Sequence, residues 1–146
     1  MEEYKEIFCS ITKVEENTDS KQIKYPKEIY NLIINKGKNV LSVITHEAKK
    51  IVLFPTNAES GIYAKIFIKR KKGGLDDSFF ISLRKVTLKF KLKTLFTTGV
   101  CVKQDECFWE GIFEHKENFP IEDFKNTLNK INSVLSIKLN ILSPSV

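Results

Sequence analysis

Ile62-Tyr63-Ala64-Lys65-Ile66-Phe67-Ile68-Lys69 alternates apolar even positions with Lys65 and Lys69 on the opposite side, the period of a half-buried strand. Lys71-Lys72-Gly73-Gly74 breaks that strand. The chain resumes as Leu75-Asp76-Asp77-Ser78-Phe79-Phe80-Ile81-Ser82-Leu83-Arg84-Lys85-Val86-Thr87-Leu88-Lys89-Phe90-Lys91-Leu92. Here Leu75, Phe79, Leu83, Val86 and Phe90 step by 4, 4, 3 and 4, the stripe of an amphipathic helix. Ile81, Leu88 and Leu92 make a second stripe, so the helix would need a partner besides its own sheet. Residues 86–93 also alternate strictly, as a strand does. The longer stripe favours helix, and Asp76 and Asp77 suit its first turn.

Working outward, Leu95 to Val102 and Cys107 to Glu114 read as two strands joined by the polar turn Gln104-Asp105-Glu106. Asn118-Phe119-Pro120 opens a further helix, with Ile121, Phe124, Leu128, Ile131 and Leu135 on one stripe. Leu135 to Ile141 alternates as a last strand. The order from residue 60 to 146 is β-α-β-β-α-β, the ferredoxin-like plan.

Upstream, Thr56 to Ser60 is polar and marks a domain boundary. Before it, residues 7–14 alternate loosely as a strand, and Gln22 to Tyr25 is extended because it precedes Pro26. Pro26 suits the first position of a short helix bearing Ile29, Leu32 and Ile33. Gly37 reads as its left-handed stop. Val40 to Ile44 and Ile51 to Phe54 form a hairpin across His46 to Lys50, and Pro55 ends it.

The chain has 146 residues, 42% hydrophobic and 29% charged, with a net charge of +6. That composition is globular. No apolar run reaches the length of a membrane span, and the acidic start Met1-Glu2-Glu3-Tyr4-Lys5-Glu6 lacks the apolar core of a secretory signal, so the expected compartment is the cytoplasm. The charge is uneven: residues 1–56 hold nine lysines against eight acids, and residues 57–146 carry the remaining net +5. Such an excess concentrates polyanions. Lysine outnumbers arginine 22 to 2, which favours phosphate contact over bidentate base reading.

Chemistry-bearing motifs are sparse. There is no phosphate-binding loop, dinucleotide-binding glycine pattern, metal-ligand spacing or Ser/His/Asp constellation. The expectation is a protein without enzymatic activity, cofactor or metal. Glu110 and Glu114 share one strand face and suit solvation. Cys9, Cys101 and Cys107 are odd in number and, without an export signal, argue against a disulfide framework. Cys101 reads instead as a small apolar strand residue. Trp109 and Phe108 occupy opposite faces of one strand. Stacking on RNA bases is one reading of those rings, and burial against helices and a facing subunit is the other.

Residues 1–56 resemble the SpoVT/AbrB swapped-hairpin domain. The resemblance rests on Gln22-Ile23-Lys24-Tyr25-Pro26-Lys27-Glu28-Ile29, Gly37, Val40-Leu41-Ser42-Val43 and Lys50-Ile51-Val52-Leu53-Phe54-Pro55. It implies an N-terminal swapped-hairpin β-barrel closed by two interlocked chains, hence a homodimer, with DNA bound through Lys13, Lys21, Lys24 and Lys27. Residues 60–146 resemble an ACT-type ferredoxin-like regulatory domain through their topology and the Lys72-Gly73-Gly74-Leu75 turn. That resemblance implies a small-molecule effector at Gly73, Gly74, Leu75 and Asp76, or added oligomeric contacts. Together they imply an α+β, dimeric DNA-binding transcriptional regulator. The alternative is a dimeric interaction subunit that docks a partner protein without binding DNA.

Overall fold

The computed structural model describes residues 26–45, 50–69, 75–103 and 106–143. Its elements, in chain order, are α1 (Lys27–Lys36), β1 (Asn39–Thr45), β2 (Lys50–Thr56), β3 (Gly61–Lys69), α2 (Asp77–Lys89), β4 (Thr94–Lys103), β5 (Glu106–Glu114), α3 (Ile121–Asn129) and β6 (Val134–Leu142). They fall into two compact units, the first ending at Asn57 and the second beginning at Ala58.

In the first unit, Pro26 stands one residue before the helix, and its carbonyl accepts from Tyr30 N at 3.0 Å. Lacking an N–H costs nothing there, because the first helical donors have no partner within the helix. β1 and β2 pair antiparallel, from Asn39↔Thr56 to Thr45↔Lys50. Gly37 is not the left-handed stop its position implied: its φ is −174° and its ψ 162°, extended backbone open to any residue. Glycine is required there by proximity, since a Cβ would lie 2.5 Å from both N and O of Thr56. No apolar side chain among the described residues of this unit is buried. Leu32, Ile44 and Ile51 are about 60% exposed (60%, 61% and 62%). Among the described residues of this unit, one hairpin and one helix offer no second apolar layer against which to bury them. The strands expected at 7–14 and 22–25 lie outside the described residues.

The second unit is a β-α-β-β-α-β chain whose antiparallel sheet runs β4-β5-β3-β6. This connectivity and strand order match the ferredoxin-like plan. Ile62, Ala64, Ile66 and Ile68 of β3 are buried with Cys107, Trp109 and Phe113 of β5, Phe79, Leu83 and Val86 of α2, and Phe124 and Leu128 of α3. Both helices therefore cover one face of the sheet. The long stripe of residues 75–90 is the buried one, with Leu75 and Phe90 packed at its ends. Asp76 caps α2 by accepting from Phe79 N at 2.9 Å. The alternation of residues 86–93 does not become a strand. Helix continues to Lys89, and Lys91 turns the chain with φ at 51° before β4 begins. Of the second stripe, Leu92 joins the core, while Ile81 and Leu88 stay 56% and 66% exposed. The apolar stripe of α3 runs to Leu128, and Ile131 packs on the core from the turn that follows. Leu135 already belongs to β6, after a turn in which Ile131 N and Val134 N close backbone bonds.

Cys101 is not a buried free thiol. It is exposed and bonded to Cys107, which faces it directly across β4 and β5 with a Cα–Cα distance of 4.0 Å. A six-residue separation places the two on facing strands with both side chains on the same side. That depends on hairpin register rather than on cysteine count.

Candidate binding surfaces

The sheet of the second unit has a face that carries no helix. Because directly paired residues share a face, the registers define its rows. One row holds Phe96, Ile112, Tyr63 and Asn140; the next Thr98, Glu110, Lys65 and Lys138; the third Val100, Phe108, Phe67 and Ser136. The middle row is polar throughout, and it separates two apolar bands.

Glu110 is the centre of this face. Tyr63 donates its hydroxyl to Glu110 Oε1 at 2.6 Å, and Lys65 Nζ lies 3.3 Å from the same oxygen. Burial pushes the Tyr63 phenol up to about 12, and the hydrogen bond and negative charge of Glu110 add to the shift. Lys65 Nζ also stands 4.1 Å from the centroid of Phe108 and 5.4 Å from that of Phe67. A ring face attracts a cation through its quadrupole, so the ammonium is held between a carboxylate and two aromatic rings. Phe67 is 39% exposed, and its centroid is 6.4 Å from that of Phe108. At the edge, Glu114 accepts from Lys93 Nζ at 3.0 Å.

Glu110 therefore differs from the solvated carboxylate expected of it. The individual charges at 65 and 110 were visible in two recognisable strands. Their meeting depends on the Lys65↔Glu110 register, which no local pattern encodes. Trp109 points the other way. It is 4% exposed, lies over Gly111 and is 6.0 Å from Phe113, so it belongs to the core beneath the helices.

Of the DNA-binding candidates, Lys27 is the first residue of α1 and is exposed. Lys13, Lys21 and Lys24 lie outside the described residues. Lys36, Lys38 and Lys50 are also exposed, and Glu28 is the acidic residue among the described part of this unit. Of the effector candidates, Gly73 and Gly74 lie outside the described residues. Leu75 packs on the core, and Asp76 uses its carboxylate as the α2 cap. These two are thus joined at the entrance of α2, in structural roles.

Ser60 and His115 also meet, Oγ to Nδ1 at 2.8 Å, with the imidazole 6.4 Å from the Phe119 ring. Among the described residues no group of His, Cys, Asp and Glu is arranged to hold a metal ion. Likewise no described helix is long and apolar enough to cross a membrane.

The sequence matches no family and no curated protein. Among solved structures, the chain is similar to the C-terminal domain of the MgtC protein from Mycobacterium tuberculosis, with 8% identity and a TM-score of 0.49. That similarity covers 60% of this chain and 92% of the other. It is also similar to a formyltetrahydrofolate deformylase from Pseudomonas putida KT2440, with 9% identity and a TM-score of 0.42, over 58% of this chain. The match spans 29% of the deformylase.

Proposed function

We propose that the chain is a homodimeric regulator that binds duplex DNA through its first unit, with the second unit sensing a small molecule or adding oligomeric contacts. The observation that carries this reading is the surface of the first unit. Its described part exposes Lys27, Lys36, Lys38 and Lys50 against Glu28, alongside apolar side chains that a monomer leaves wet. A second copy would bury the apolar groups, as the swapped-hairpin resemblance implies. The lysines would then form a doubled cationic surface suited to phosphate. With so little arginine, any sequence preference would rest on DNA shape and deformability. An effector near the start of α2, as the ACT-type resemblance implies, would change DNA affinity only by favouring one dimer geometry.

The test is anisotropy of a labelled duplex with the full chain at about 50 and 200 mM salt. The reading expects affinity to fall by about 10³ across that range. It expects Lys21→Ala, Lys24→Ala and Lys27→Ala together to reduce the salt slope by about one unit per lysine. A folded, dimeric chain that leaves the duplex unbound at the lower salt overturns it. A second reading, an interaction subunit that docks a protein, is favoured by Ile81 and Leu88 standing exposed on α2. It expects dimers, no duplex binding, and partner affinity nearly independent of salt.

A further inference from the structure

We propose that the helix-free face of the second unit's sheet is a platform for single-stranded nucleic acid, with Phe67 and Phe108 as its stacking rings and Lys65, Lys69 and Lys138 as its phosphate partners. The two rings sit directly opposite each other on the central strands β3 and β5, where their centroids are 6.4 Å apart. Every unpaired base has a π-face, so two neighbouring rings on one sheet face, here with planes 53° apart, bind a strand with little regard to sequence. A duplex cannot use such rings, because its bases are already stacked on one another.

The charges around the rings fit the same occupant. Lys65 stands over both rings, Lys138 is paired with Lys65 in register and exposed, and Lys69 is exposed two positions beyond Phe67. Against them stand Glu106, opposite Lys69, and Glu110, whose carboxylate already meets Tyr63 and Lys65. A base settling on Phe108 displaces the Lys65 ammonium toward the strand's phosphates. Ser136 and Asn140 extend the polar border along β6. A protein partner fits this face less well. Its middle row sets Glu110, Lys65 and Lys138 across the centre of the patch, where protein interfaces are depleted of charge. Nucleic-acid interfaces are wet and keep lysines beside phosphates. The proposal is independent of duplex binding by the first unit.

The test compares a labelled single strand of about 16 nucleotides with the duplex of the same sequence, using the full chain. Phe67→Leu with Phe108→Leu keeps the apolar bulk and removes both π-faces. The expected result is single-strand binding by the native chain, weakened about tenfold or more by the double variant, with duplex affinity unchanged and a cooperative melting transition retained. If the half-buried Phe108 proves necessary for folding, Phe67→Leu alone is expected to weaken single-strand binding about fivefold. Absence of single-strand binding by the native chain, or equal binding by folded Leu variants, overturns the proposal. Loss of duplex binding on changing Lys21, Lys24 and Lys27, with the single strand still bound, would separate the two surfaces.

Discussion

Replacing Glu110 by Gln tests the polar centre of the sheet face. Glu110 accepts the Tyr63 hydroxyl at 2.6 Å and pairs with Lys65 at 3.3 Å. Glutamine can still accept the hydroxyl but carries no charge. The loss near neutral pH is therefore about 1 kcal/mol, between the small worth of a partly exposed ion pair and that of a charged hydrogen bond. For a unit of this size that lowers the melting temperature by roughly 4–8 °C. A second effect, of similar size, is at high pH. The Tyr63 phenol ionises near 12 in the folded chain and at the ordinary 10.0 when unfolded. Between those values the unfolded state loses its proton first, so stability is whole below pH 10 and declines as pH rises toward 12. The difference between 10.0 and about 12 corresponds to about 2.7 kcal/mol, and solvent screening around a partly exposed phenol reduces this to about 1 kcal/mol. Alkaline difference absorbance of the folded protein reads the phenol directly. Native protein should show the Tyr63 step delayed beyond the ordinary phenol range, and Glu110→Gln should bring that step down while leaving the part of the shift due to burial. A tyrosine titration unchanged by the substitution would refute the network.

Three further outcomes follow from the packing. Phe124 is fully buried, with Phe90, Phe113 and Phe119 rings at 5.4, 6.0 and 5.6 Å, so Phe124→Ala should cost about 3–5 kcal/mol in denaturant unfolding. A Cβ at Gly111 would fall within the Trp109 indole, so Gly111→Ala should destabilise by about 1–3 kcal/mol and shift the emission of the lone tryptophan. Thiol titration of the denatured, unreduced chain should find one reactive cysteine, Cys9, and all three after reduction; three before reduction would contradict the Cys101–Cys107 bond.

Much of the second unit can be read directly from residue order, because its signals are local. Alternation over Ile62–Lys69 and the stripe from Leu75 to Phe90 each arise from one element meeting one apolar layer, and their periods survive in the chain. Asp76 as a helix cap is local for the same reason. Where two periods overlapped, at residues 86–93, Val86 and Phe90 pack on the core while Leu88 between them stays exposed, which a helical period allows and strict alternation does not. What tertiary structure alone decided are the pairings. Cys101 with Cys107, Glu110 with Lys65 and Tyr63, and Phe67 beside Phe108 all depend on strand register, and a one-residue slip would send each side chain to the opposite face. The same holds for Gly37, whose reason is the Thr56 backbone nineteen positions away rather than any turn of its own. Residue types and spacing determined the elements. Which chemical groups face one another was determined by how those elements pair.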